Sequence, residues 1–210
     1  MLPALTAVVS AVFTIAVAMR YARSKRMALL AWSIGLGMFT IAALAGALAQ
    51  NSGASETEYR LFYLFGGILN VAWLALGTVL LVTPRFALPA LVIVVLVSLV
   101  SSYAVFTTPV NLQIALDTGK GFPDGSLPRI LAAFGSGVGS LVLIGGALWS
   151  AWGFLRRRRN GRRALSNIVI AAGVIIVAAG GTVTFTGATG ILEFTNLIGL
   201  SVMFVGFLIA

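Results

Sequence analysis

Apolar residues along the chain form seven long blocks, separated by short charged or turn-forming stretches. They run approximately from Leu2 to Ala18, Ala28 to Ala49, Leu61 to Val82, Leu88 to Phe106, Ile130 to Leu155, Ala164 to Phe185 and Ile191 to Ile209. A helix needs about 20 mostly apolar residues to cross a bilayer core of roughly 30 Å, so each block is long enough for one crossing. Only helices and closed barrels satisfy their backbone groups in lipid, and blocks of this length are helical rather than strand-like. The pattern predicts an all-α integral membrane protein, a single seven-helix bundle over residues 1–210. Met1-Leu2-Pro3 supplies no positive stretch ahead of the first block, which is therefore expected to be a retained helix rather than a secretory signal.

The charges set an orientation. With loops on alternate sides, one side collects Arg20, Arg23, Lys25, Arg26, Arg85, Arg156, Arg157, Arg158, Arg159, Arg162 and Arg163, and the other only Arg60, Lys120 and Arg129. The positive-inside rule makes the richer side cytoplasmic, so the expected topology is N-outside and C-inside, in the cytoplasmic membrane of a bacterial source. Glu56, Glu58, Asp117 and Asp124 all fall in the expected outer loops, 50–59 and 107–128. The longer loop is rich in turn formers and is expected to cap the outer face.

Composition narrows the chemistry. The chain is 60% hydrophobic and 9% charged, with a mean hydropathy of +1.06, which excludes a water-soluble fold. Its net charge of +9 lies in clusters between apolar blocks, so nucleic acid is not an expected partner. Cys and His are both absent, which removes thiol nucleophiles, Cys/His metal sites and the commonest catalytic base. Neither a phosphate loop nor a serine-based catalytic constellation can be assembled, so no enzyme activity and no cofactor are expected.

A shift of 136 residues pairs Ala28 with Ala164, Leu29 with Leu165, Ile34 with Ile170 and Gly37 with Gly173, and a shift of 129 pairs Gly77 with Gly206. These matches suggest a 3+1+3 duplication in which two parallel three-helix units flank a connecting fourth helix. That layout is similar to the SWEET sugar transporters, a resemblance of topology that implies a carrier built from parallel repeats. The prolines here, at positions 3, 84, 89, 109, 123 and 128, stand outside the interiors of the first, second, fifth and sixth helices, where that family carries its hinges. Microbial rhodopsins share the helix count, but the last helix here has no lysine to bind retinal.

Few residues could carry a site. Glu193, three residues into the last helix, reads as a carboxylate complementing the helix dipole in the headgroup region, as a proton or cation site shared with Asn196, or as part of an interface with another subunit. Tyr63, Gly66, Asn70, Trp73 and Gly77 recur at spacings of three and four and are expected on one protein-facing stripe. Asn70 reads as a helix-packing residue, or else Tyr63, Asn70 and Trp73 line a ligand pocket to which Ser101, Ser102 and Tyr103 add hydroxyls. Gly135 with Gly139, Ser136 with Ser140 and Ala42 with Gly46 are small-xxx-small pairs expected to pack helices within the chain. The run Arg156, Arg157, Arg158, Arg159, Arg162 and Arg163 follows Trp149 and Trp152 as an anionic-lipid or partner contact would. Three functions fit: an accessory subunit of a larger membrane assembly, a carrier for a small solute or lipid, or the membrane head of a sensor. The chain's end at the last helix weighs against the sensor.

Overall fold

A computed structural model of the protein describes residues 2–53, 55–156, 161–185 and 191–209. The elements are α1 (Leu2–Ser24), α2 (Met27–Ser52), α3 (Glu56–Val82), a 3₁₀ turn (Pro84–Phe86), α4 (Ala87–Thr107), α5 (Leu112–Thr118), α6 (Leu127–Arg156), α7 (Gly161–Phe185) and α8 (Ile191–Ile209). Among the described residues there is no strand, and seven helices are long and apolar enough to cross a membrane. The chain is a helical membrane protein.

Helices outrun several apolar blocks because a charged side chain ends hydrophobicity, not backbone hydrogen bonding. Thus α1 continues through Arg20 and Arg23. The start of α3 is fixed locally: Ser55 accepts from the Glu58 amide while the Glu58 carboxylate accepts from the Ser55 amide, a reciprocal cap that satisfies two orphan donors. Between α1 and α2 the chain reverses in two residues, with Lys25 in the left-handed region at φ 55°. Within α3, Phe62–Leu69 widens into a π-helix around Gly66 and Gly67. The connection between α4 and α6 carries the short helix α5, opened by the Asn111 side chain accepting from the Ile114 amide and closed by Gly119 at φ 73°.

Six of the long helices close a ring. Each of α1, α2 and α3 packs on the next, α3 packs on α6, then α6 on α7, α7 on α8, and α8 returns to α1. Helix α4 stands outside it, against α3 and α6, with Leu88, Ile93, Leu96, Leu99 and Phe106 exposed on its far side. The ring's centre is filled by apolar side chains from every member: Phe13 and Val17, Leu36 and Phe39, Leu74, Leu143, Ile170 and Val174, and Met203 with Phe207. Phe13 stacks on Phe204 with ring centroids 4.9 Å apart.

Two seams use glycine for close approach, and they match. A Cβ on Gly35 of α2 would stand 2.8 Å from the Asn70 carbonyl oxygen and 3.1 Å from the Leu74 amide nitrogen of α3; one on Gly173 of α7 would stand 2.5 Å from the Gly199 oxygen and 2.8 Å from the Met203 nitrogen of α8. Likewise Gly77 lies against Ala28 and Trp32, and Gly206 against Ser166 and Ile170. The spacing between these contacts is 138 residues for the α2/α7 pair and 129 for α3/α8, against the 136 and 129 of the sequence identities. Trp32 meets Gly77 as Ile170 meets Gly206.

Candidate functional site

The buried arginine of the bundle lies at the end that carries the acidic residues. At the start of α3, Arg60 is buried to 8% exposure. Its Nε donates to Glu56 Oε1 at 2.9 Å, Nη2 donates to the Thr108 carbonyl at 2.9 Å, and Nη1 donates to the Val105 carbonyl. The last carbonyls of a helix have no partner within it, so this guanidinium completes the end of α4 and ties it to α3. One residue earlier, Tyr59 Oη donates to the Gly119 carbonyl at 3.2 Å and accepts from the Gly121 amide at 2.8 Å. The loop after α5 is thereby fastened over the end of α3, and Phe122 is inserted beneath it, 2% exposed and in edge contact with Tyr63 at 4.9 Å between centroids. The long connection between α4 and α6 therefore caps this end of the bundle.

Under that cap two hydroxyls are buried with no hydrogen-bond partner among the described residues, Tyr63 Oη and Ser101 Oγ; Ser126 Oγ, beside α6, is a third. Ser101 shares its face of α4 with Val97 and Val105, which pack with Tyr63 against Leu64, Ile68 and Phe122. A buried hydroxyl without a partner costs about 1–3 kcal/mol, so these groups are where a polar ligand would gain most.

The sequence candidates are distributed around the ring rather than convergent. Asn70, 3% exposed, lies where the π-helix returns to α geometry; its Oδ1 accepts from the Val71 amide at 2.6 Å, and its backbone meets Gly35. Gly66, Asn70 and Gly77 face α2, as one stripe should, but Trp73 turns to α4, where Nε1 donates to Ser98 Oγ at 3.3 Å, and Tyr63 turns to the loop. The π segment changes the helical phase between Tyr63 and Asn70, so counting by threes and fours does not carry across it. Tyr103 lies on the outer side of α4 at 72% exposure, away from Ser101. Glu193 Oε1 accepts from Gln50 Nε2 at 2.8 Å, pairing α8 with α2, and Asn196 is half-buried one turn further on. These two stand across the ring from Asn70 and Trp73.

At the basic end, the Arg156 guanidinium lies over the Trp152 ring at 5.2 Å, and Arg162 Nε donates to the Ile209 carbonyl at 2.7 Å. Arg163 is exposed, while Arg157, Arg158 and Arg159 lie outside the described residues. Gly135 and Gly139 pack against Ile68 and Val71 of α3, which makes that small-residue stripe an intramolecular seam. Sequence reasoning treated Arg60 only as a loop charge; the Glu56–Arg60 spacing of four was the signal that it belongs to a helix. Phe122, inside a loop rich in turn formers, gave no signal.

Comparison of the chain with protein-family models, with curated proteins and with solved structures found no match.

Proposed function

We propose that the chain is a non-catalytic membrane protein acting as a partner subunit of a larger assembly in a bacterial cytoplasmic membrane, N-terminus outside and C-terminus inside. The observation that carries this reading is the filled centre of the ring, where Phe13, Phe39, Leu74, Leu143 and Met203 meet along the path a solute would take. Helix α4, attached on one side only, supplies an apolar face for a neighbouring chain or for lipid. Native mass spectrometry of the protein, extracted with its lipid from the source membrane at natural abundance, tests the reading. A stoichiometric second polypeptide is the expected result, and a lone chain would overturn it.

A carrier is the second reading, favoured by the matched glycine seams. They support an internal 3+1+3 duplication with α4 as connector, and parallel repeats are a common basis of transporter folds. In that reading the filled centre is a closed state and the π segment of α3 is the hinge. Uptake of a solute by vesicles containing only this chain would select it over the first.

A further inference from the structure

A groove runs between α3 and α6 toward the basic end of the bundle. Its outer part, about 340 Å³, is open to the surroundings of the bundle and lined by Thr78, Val82, Thr83, Gly145, Gly146 and Trp149. A narrow inner recess of about 30 Å³ continues from it past Thr78 and Gly146 toward Ser150 and Asn167. The two helices run in parallel with a fixed register, since Gly135 meets Ile68, Gly139 meets Val71 and Gly146 meets Thr78. Because α3 and α6 run in parallel, Arg85, in the turn that follows α3, and Arg156, at the end of α6, both lie at the end of the bundle toward which the groove opens.

Both arginines are exposed, and each is braced on an aromatic ring, Arg85 over Phe86 at 4.8 Å and Arg156 over Trp152 at 5.2 Å. None of the five acidic residues, Glu56, Glu58, Asp117, Asp124 and Glu193, belongs to the segments at this end of the bundle. The groove is thus an apolar slot beside two cations with no acidic side chain paired to them among the described residues.

We propose that this groove holds an acyl chain of an anionic phospholipid, whose phosphate is bound by Arg85 and Arg156. An apolar slot between helices accepts a chain that would otherwise lie against the bulk lipid, and basic groups at the cytoplasmic mouth of such slots recognise anionic headgroups. Gly145 and Gly146 make the slot: a side chain at Gly146 would meet Thr78, whereas nothing stands within 4 Å of a Cβ at Gly145, where the wall opens.

The test uses the full chain, purified in detergent and offered equimolar dioleoyl phosphatidylglycerol and dioleoyl phosphatidylcholine, with retained lipid read by native mass spectrometry. One retained phosphatidylglycerol is expected, preferred about thirtyfold over phosphatidylcholine from two bases near the headgroup. Gly145→Leu, which fills open space and leaves the fold intact by thermal melting, is expected to abolish retention of either lipid. Arg85→Gln with Arg156→Gln is expected to keep a lipid bound and lose the preference. Retention in proportion to supply, undiminished phosphatidylglycerol binding in Gly145→Leu, or an undiminished preference in the double arginine variant would each overturn the proposal.

Discussion

Gly35 of α2 lies directly against the backbone carbonyl of Asn70 in α3, with room for no further atom between them. In a bilayer the association of two apolar helices gains nothing from excluding lipid, so close backbone packing is what joins them.

Gly35→Ala should therefore destabilise the bundle by about 1–3 kcal/mol, because the new methyl meets backbone that cannot swing aside. Gly173→Ala, in the matching seam, should cost a similar amount. Gly37→Ala is the control: its Cβ would meet only a methyl of Thr14 at 3.8 Å, and the gain in helix propensity makes it neutral or stabilising by up to about 1 kcal/mol. Unfolding in mixed micelles with increasing denaturing detergent measures all three. Equal costs at positions 35 and 37 would count against the seam.

The clamp at Arg60 predicts an asymmetry between its partners. Arg60→Met leaves the Val105 and Thr108 carbonyls without their donor and should cost about 2–3 kcal/mol. Lysine should rescue only in part, since a single ammonium lacks the planar fork that reaches two carbonyls and a carboxylate together. Glu56→Gln should cost less than about 1 kcal/mol, as Glu56 is more than half exposed. Hydrogen exchange should rise first at the end of α4 in the methionine variant.

Two neighbouring tyrosines should behave oppositely when their hydroxyls are removed. Tyr59→Phe breaks the bonds to Gly119 and Gly121 and should loosen residues 119–122 at a cost of about 1 kcal/mol, read as faster exchange of the Gly121 amide. Tyr63→Phe removes a buried hydroxyl that has no partner among the described residues and should be neutral or raise the melting temperature. Destabilisation of the Tyr63 variant would mean that its hydroxyl is satisfied by a group bound in the membrane.

Orientation is accessible through cysteine chemistry, since the chain has no cysteine of its own. Ser24→Cys and Pro123→Cys replace exposed residues at opposite ends of the bundle. With the N-terminus outside, a membrane-impermeant maleimide added to intact cells should label position 123 and reach position 24 only after permeabilisation. The reverse pattern would invert the topology.

Glu193→Gln should leave stability within about 1 kcal/mol, because a glutamine oxygen still accepts from Gln50. A larger loss would show that the negative charge itself is needed at the start of α8.

What could be read from the chain alone was the set of crossings and the segregation of charge. Length and hydropathy are local sums, and a bilayer selects on them directly, so seven apolar blocks became seven long helices with ends displaced by a few residues. Which residues face one another was decided only by the tertiary structure. Lipid and protein interior are equally apolar, so hydrophobicity does not mark the inward side of a helix as it does in water. Tyr103 and Ser101 sit two residues apart on α4, and only the packing sends one outward and the other inward. The π segment illustrates the same limit within one helix, because it changes the phase between Tyr63 and Asn70, which the spacing of residues along the chain does not record. Arg60, finally, becomes a clamp because α4 ends beside it, a relationship between positions 60 and 105 that no local pattern contains.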